Sequence, residues 1–570
     1  MRRWYNSFTA MKRLLPILMG LTLGASLSAA DAIKKNVLLI CVDDLKPTIG
    51  CYGDAFAKTP NIDALAKRAV MFERAYCNQA VCAPSRNALM TSLRPETLGI
   101  YDLATNFRKS RPDAVTMAQH FHQHGYKTQA LGKIMHVGHG NGEDAASWDV
   151  PHFGGKTIGY TLKKNQAPTR EGALFDNKRP DQLPRGAATE SADVSDDTYS
   201  DGKIAAEAIL RLQAAKSDAK PFFIAVGFLK PHLPFVAPKR YWDMHDAAKL
   251  PQPTRHTPPD GAPSYAPQFG GELRNYADMP KGNEPIPEEL TRHLIHGYYA
   301  ATSYMDAQMG KVLDELKKLD LEKNTIVVLW GDHGWHLGDH GMWCKHTNYE
   351  QAVRIPLLIA APGAPSMRSV AFVETVDLYP TIAELAGIPP RDGLDGKSLA
   401  KHLFDPQHLH RTHVVHVYPR KDLLGRALRN ERYRLVEWKK PGAAVSTAEY
   451  ELYDYLTDPG ETKNLAQSQP DMVKTLAALL HQMPDAKPQV NAAAAAAADA
   501  PKRPAAKQDR AEMFAHRDAD KDGKLTKEEF LSQQPDPKDA PARFTRFDKN
   551  SDGVLSQEEF IQGGTDPAKE

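Results

Sequence analysis

Asn36-Val37-Leu38-Leu39-Ile40-Cys41-Val42-Asp43-Asp44 is the stretch from which the architecture of this chain can be worked out. An apolar run without polar alternation suits a strand buried on both faces of a parallel sheet, since a strand with one wet face alternates. Two adjacent carboxylates close the run. They invite a cation, although aspartate also caps the turns that follow strands.

The design recurs along the chain. Tyr126 to Leu131 leads into Gly132-Lys133-Ile134-Met135-His136, Phe222 to Phe228 into Lys230-Pro231-His232, and Thr325 to Trp330 into Gly331-Asp332-His333-Gly334. Each hydrophobic run is followed at once by ionisable residues. Helical stretches between them, such as Asp201 to Ala214 and Arg292 to Leu319, supply the crossovers of an α/β fold. Ligands of such sheets bind beyond the carboxyl ends of the strands, so these polar segments are expected to converge on one site.

The chain has 570 residues, 25% charged and 42% hydrophobic, which makes a globular protein of several domains. A net charge of +2 offers no broad basic field for nucleic acid. Arg2, Arg3, Lys12 and Arg13 precede the apolar run Leu14 to Leu27, and Ser28-Ala29-Ala30 offers a small-residue cleavage site. Residues 1–30 therefore read as an export signal, with an uncleaved anchor as the alternative; no later stretch could span a bilayer. Of the five cysteines, Cys41 lies in an apolar strand and reads as a core residue, and no disulfide is predicted.

A second stretch carries the chemistry: Val81-Cys82-Ala83-Pro84-Ser85-Arg86-Asn87-Ala88-Leu89-Met90-Thr91. Pro84 suits a first helical position, so Cys82 falls at the positive end of a helix with the Arg86 guanidinium a turn away. This is a site for an anion. The pattern C-x-P-S-R resembles the signature of the type I sulfatases, in which the cysteine is oxidised to formylglycine before folding. Further motifs carry the likeness in order: Val42-Asp43-Asp44-Leu45, Gly50-Cys51-Tyr52-Gly53, Arg94-Pro95-Glu96-Thr97, Tyr101-Asp102, Leu131 to His136, Lys230 to Phe235, Gly331 to Gly341, Trp343-Cys344-Lys345-His346, Glu451 to Asp454 and Asp458 to Glu461. Coverage runs from about Asn36 to about Pro484, and within the family the likeness is greatest to enzymes of 2-O-sulfated uronates.

The resemblance implies an alkaline phosphatase/sulfatase-like fold, a mostly parallel sheet sandwiched by helices. It implies that Asp43, Asp44, Asp332 and His333 hold a divalent cation together with an oxygen of the formylglycine made from Cys82. Three carboxylates suit calcium or magnesium, with His333 the departure from an all-oxygen set. Arg86 is implied to stabilise the hydrated aldehyde, with Lys133 and His136 close by; their spacing places these two on one side of a turn or helix. Lys345 and His232 are implied to grip the sulfate, with His232 as general acid. A formylglycine-generating maturation enzyme is an implied partner. His120, His122 and His124 precede Gly125 at an expected helix end and read as surface histidines, while His336, His340 and His346 lack the cysteine spacing of a zinc site.

Residues 31–402 are expected to form the catalytic domain and 403–484 a small α+β subdomain, with strands at His413 to Tyr418 and Tyr433 to Trp438 and a helix at Asp471 to Gln482. The polar stretch Thr157 to Val194 and the proline-rich Lys249 to Pro287 read as long loops that shape the substrate pocket. Residues 485–507, with seven alanines at Ala492 to Ala498, read as a linker. Residues 508–570 hold two twelve-residue calcium loops of an all-α EF-hand pair. The first offers Asp518, Asp520, Asp522, the Lys524 carbonyl and Glu529; the second offers Asp548, Asn550, Asp552, the Val554 carbonyl and Glu559.

The expected protein is an exported, periplasmic or secreted sulfatase acting on a sulfated saccharide, with one calcium in the active site and two in the EF-hands. Algal or other sulfated polysaccharides are alternative substrates. A phosphatase or phosphodiesterase of the same superfamily and a non-catalytic, calcium-dependent glycan-binding surface protein are the alternative functions.

Overall fold

The computed structural model describes residues 34–155, 157, 159–166, 184–218, 220–490, 514–515, 517–532 and 540–562. The expected signal peptide at 1–30 and most of the expected linker lie outside the described residues. The chain divides into two compact units, 1–489 and 490–570. The first ends beyond the boundary read from the sequence, because Lys487 N–H donates to the Glu96 carbonyl and Gln489 accepts from Tyr101 N–H.

Strand β1 (Asn36–Val42) is buried at every residue. It sits inside a sheet whose other strands are β2 (Val70–Tyr76), β3 (Lys127–Gly132), β4 (Phe222–Phe228), β5 (Thr325–Gly331), β6 (Arg354–Ile355), β7 (Leu357–Ala360) and β8 (Met367–Glu374). The order is β6-β2-β7-β5-β1-β4-β3, with β8 also pairing with β2. β5, β1, β4 and β3 run parallel, while β7 runs antiparallel between β5 and β2.

The register builds the site. Val42 stands opposite Phe228 on one side and Gly331 on the other. The backbone ladder continues one step further, with Asp332 N–H donating to the Val42 carbonyl at 3.1 Å and Asp43 N–H to the Phe228 carbonyl at 3.2 Å. Asp43 and Asp332, far apart in sequence, therefore emerge side by side.

Helices close both faces: α1 (Cys82–Thr91), α2 (Met117–Gln123), α3 (Ser200–Ser217) and α4 (Glu288–Lys318). Ile204, Ala208 and Leu212 of α3 and Met305, Met309 and Val312 of α4 pack on Leu38, Ile40 and Ile224. On the other face Phe121 of α2 meets Phe223 of β4 with ring centroids 4.8 Å apart. Truncating a core residue such as Leu38 to alanine would cost about 2–5 kcal/mol. One expectation fails on α2: His120 is not a surface residue but 5% exposed. Burial, then His124, pushes its pKa down to about 4, so it is a neutral core imidazole.

The C-terminal part of the first unit is an antiparallel sheet of β9 (His413–Arg420), β10 (Leu423–Asn430), β11 (Tyr433–Lys439) and β12 (Glu449–Asp454) in sequential order. Helix α5 (Pro470–Leu480) lays Val473, Leu476 and Leu480 on one face, against Val415, Leu428 and Leu435. The other face meets the main body through Ala427, Val436 and Trp438 against Ala266.

In the second unit the short strands β13 (Lys524–Thr526) and β14 (Val554–Ser556) pair antiparallel with Leu525 opposite Leu555. Phe514, Phe530, Phe544, Phe547 and Phe560 form its core. This pairing of two loops over an aromatic core is EF-hand architecture.

Candidate active site

Helix α1 begins at Cys82 itself, with Val81 extended before it (φ −159°, ψ 143°). Pro84 takes the third helical position rather than the first. It is tolerated because the early N–H groups of a helix have no partner in any case, so nothing is lost with its missing donor. All ten residues of α1 are buried, and Ser85 Oγ donates to the Asp332 carbonyl at 2.5 Å, tying the helix start to the end of β5.

The groups expected to act on Cys82 surround its sulfur. Lys133 Nζ lies 3.4 Å away, His333 Nε2 3.4 Å and Asp43 Oδ1 3.5 Å. Arg86 is fully buried and bridges two carboxylates, donating from NH2 to Asp43 Oδ1 at 3.1 Å and from Nε to Asp332 Oδ2 at 3.0 Å. Its remaining donors go to the carbonyls of Lys133 and Ile134. Lys133 Nζ also donates to Asp43 Oδ2.

Lys345 Nζ donates to Asp44 Oδ1 at 3.2 Å and lies 4.7 Å over the Trp335 ring. His232 Nε2 stands 4.0 Å from Asp43 Oδ2 and 3.9 Å from Asp44 Oδ2. His136 lines the same cavity, of about 280 Å³, but its Nε2 lies 3.1 Å from His139 Nδ1. Residues 133–135 form a bend rather than a helix, and Lys133 and His136 line the same cavity, Lys133 reaching the sulfur and His136 reaching His139.

Burial and neighbouring charge pull the carboxylates in opposite directions. Burial opposes ionisation of Asp43, but Lys133 and Arg86 outweigh it and hold its pKa well below the ordinary value. Asp44 goes the other way: burial, reinforced by the Asp43 charge, outweighs Lys345 and drives its pKa well above that value. Asp332 is likewise raised, by burial and by Asp43. A carboxylate pair that cannot both ionise for want of positive charge fits a divalent cation. Ligand atoms of Asp43, Cys82, Asp332 and His333 all lie within 4.8 Å of one another, and so do those of Asp43, Asp44, Cys82 and His232. The oxygen-rich set fits calcium or magnesium. Burial, then Asp43, raises the Cys82 thiol to about 12, so an unmodified thiol would be protonated at neutral pH and a poor nucleophile.

Sequence reasoning missed Glu272. It comes from the proline-rich loop, where neither periodicity nor spacing marks it, and its Oε2 lies 2.8 Å from Lys345 Nζ. It missed Ser85 as a tie as well, although that residue lies within the C-x-P-S-R signature. All five cysteines are free, and Cys41 is a fully buried core residue of β1.

In the first EF-hand loop, Asp518 Oδ2 accepts from Gly523 N–H at 2.9 Å, and Glu529 Oε2 accepts from Thr526 N–H at 2.9 Å. Asp518, Asp520 and Glu529 converge as a potential cation cluster. The second loop repeats the scaffold, with Asp548 Oδ2 accepting from Gly553 N–H at 3.0 Å and Glu559 Oε2 from Ser556 N–H at 3.0 Å. Gly523 and Gly553 have φ of 81° and 83°, a turn that glycine takes without strain.

Clustered carboxylates at the carboxyl ends of parallel strands, facing a helix-start cysteine among buried cations, define a hydrolase of the alkaline phosphatase/sulfatase fold class. The chain belongs to the sulfatase family, whose model matches residues 35–388, and it is a sulfuric ester hydrolase. The C-terminal model of N-sulphoglucosamine sulphohydrolase matches residues 338–489, and EF-hand models match 512–532 and 542–563. Iduronate 2-sulfatase of Mus musculus is 36% identical over 422 residues, 66% of this chain and 74% of that protein. A sulfatase of Formosa agariphila is 30% identical over 445 residues, 76% and 83% of the two chains. Among solved structures, the phosphonate monoester hydrolase of Silicibacter pomeroyi shares the fold with a TM-score of 0.62 at 23% identity, over 79% of this chain and 95% of its own. Among the described residues no helix is long and apolar enough to cross a membrane.

Proposed function

We propose that this protein is an exported sulfatase that releases sulfate from a sulfated saccharide, with a 2-O-sulfated uronate as the leading substrate class. The observation that carries the reading is Cys82 at the start of α1, within 3.5 Å of Lys133, His333 and Asp43. The similarity to iduronate 2-sulfatase supports the choice of sugar. A second substrate reading, an algal polysaccharide, draws on the 27% identity to an ulvan-active sulfatase of Formosa agariphila.

The residues fall into roles. Asp43, Asp44, Asp332 and His333 would hold calcium, with an oxygen of a formylglycine made from Cys82 by a maturation enzyme. Together these groups supply a hydrated aldehyde as nucleophile and positive charge for the sulfate oxygens. Arg86 holds Asp43 and Asp332 apart and in line. Lys133 places its ammonium where negative charge builds during attack on sulfur.

Lys345 and His232 face the ester. Burial, then Lys345, holds His232 well below its ordinary pKa, so it is neutral in the free site. An anion bound beside it would restore the proton, which His232 then gives to the departing alcohol oxygen. The EF-hand loops would each bind one calcium through Asp518, Asp520, Asp522, Lys524 and Glu529, and through Asp548, Asn550, Asp552, Val554 and Glu559.

The test is sulfate release from a panel of defined sulfated saccharides by co-matured enzyme, with Cys82→Ala as control. Cleavage of 2-O-sulfated iduronate, lost in the control, is the expected result. Release only from algal glycans would replace the sugar, and no release at all would remove the mechanism.

A further inference from the structure

Glu272 stands directly behind the two groups that face the ester. Its Oε2 lies 2.8 Å from Lys345 Nζ and its Oε1 3.4 Å from His232 Nε2, and the side chain is only 15% exposed. It lines the same cavity as Cys82, Lys133 and His232. Among the described residues it belongs to neither cation cluster of the site.

The charges around the sulfur show what Glu272 adds. Arg86, Lys133 and Lys345 pair directly with Asp43, Asp44 and Asp332, and a divalent cation held by those carboxylates would tip the site positive. Glu272 adds a fourth carboxylate that offsets this positive charge from beside the lysine expected to grip the substrate.

A sulfate monoester carries one negative charge. A phosphate monoester has the same tetrahedral shape and nearly the same size, but with a second pKa of about 6 it carries two at pH 8. Shape cannot separate such isosteres, whereas a fixed charge in a cavity of low dielectric can.

We propose that Glu272 is a specificity-determining residue, whose negative charge on Lys345 and His232 disfavours doubly charged esters and so separates sulfate from phosphate monoesters. The inference rests on the sulfatase reading above. Burial opposes ionisation of Glu272, but the Lys345 ammonium, with the Arg185 guanidinium, outweighs it and keeps the carboxyl well below the ordinary range, so the charge is present throughout the neutral range.

The test measures binding of two non-hydrolysable analogues, benzenesulfonate with one charge and phenylphosphonate with two, by calorimetry at pH 8 on the full, calcium-loaded chain. Glu272→Gln should strengthen phenylphosphonate relative to benzenesulfonate by about tenfold or more. Glu272→Asp, which keeps the charge, should leave the ratio within about twofold of wild type. An unchanged ratio in Glu272→Gln, including equal weakening of both ligands, overturns the proposal and leaves Glu272 a positioning residue. Sulfate release by wild type, read separately, decides the sulfatase reading.

Discussion

Arg86 is the side chain on which the site most depends. Its guanidinium is fully buried and touches both Asp43 and Asp332. Arg86→Ala leaves two buried carboxylates without their shared cation, a loss of about 3–5 kcal/mol. It should lower the urea midpoint as well as abolish sulfate release, and an unchanged midpoint would show that other groups compensate the pair. Asp377 makes a comparable case away from the site. It is wholly buried; burial alone would raise its pKa, but Arg411 and His410 hold it well below the ordinary carboxylate value. With its folded pKa depressed, Asp377 contributes stability above its unfolded value of about 3.9, and that contribution is lost as pH falls toward the folded pKa. The stability gap between wild type and Asp377→Asn should therefore hold steady down to about pH 4 and shrink as pH is lowered from about 4 toward 2. A gap that widens would reverse the assignment.

At the level of elements, legibility followed burial and periodicity. β1 and β4 were visible because their runs are apolar throughout, as a strand covered on both faces must be. β2 was not read, since Glu73 and Arg74 interrupt it where it is only half-buried. β10 escaped notice because Arg426 and Arg429, polar by type, are buried in it. The cation cluster was legible through the polar residues that end the strands, and Cys82 through its motif. Glu272 was not, because a proline-rich loop has no period and only tertiary contact gives the residue its neighbours. The EF-hand loops were legible position by position, since each ligand has a fixed place in the turn. Glu529→Gln should abolish calcium binding at the first loop while the second still binds. Calorimetry on the full chain would count the loss, and unchanged stoichiometry would remove Glu529 from the ligand set.

At the scale of the whole molecule, the compact unit ending at Gln489 contains the entire candidate site. A chain ending at Gln489 should release sulfate at a rate within about twofold of full length and lack two calcium sites, as read by calcium titration; its failure to fold would show that the EF-hand unit supports the body. Chelation of the full chain should lower its melting temperature and stop turnover, with calcium restoring both; indifference to chelation would argue against the cation cluster. The burial of Cys82, 2% exposed in the finished fold, also has a consequence in time. The wall that encloses the sulfur includes β5, so the pocket cannot close until that strand has been made. At about 5–20 residues per second, the roughly 250 residues from Cys82 to the end of β5 take about 12–50 s to emerge from the ribosome. Under the proposed maturation of Cys82 to formylglycine, the oxidising enzyme would work against a clock set by the length of its own substrate, and a host in which that enzyme is scarce should accumulate folded, soluble and permanently inactive protein.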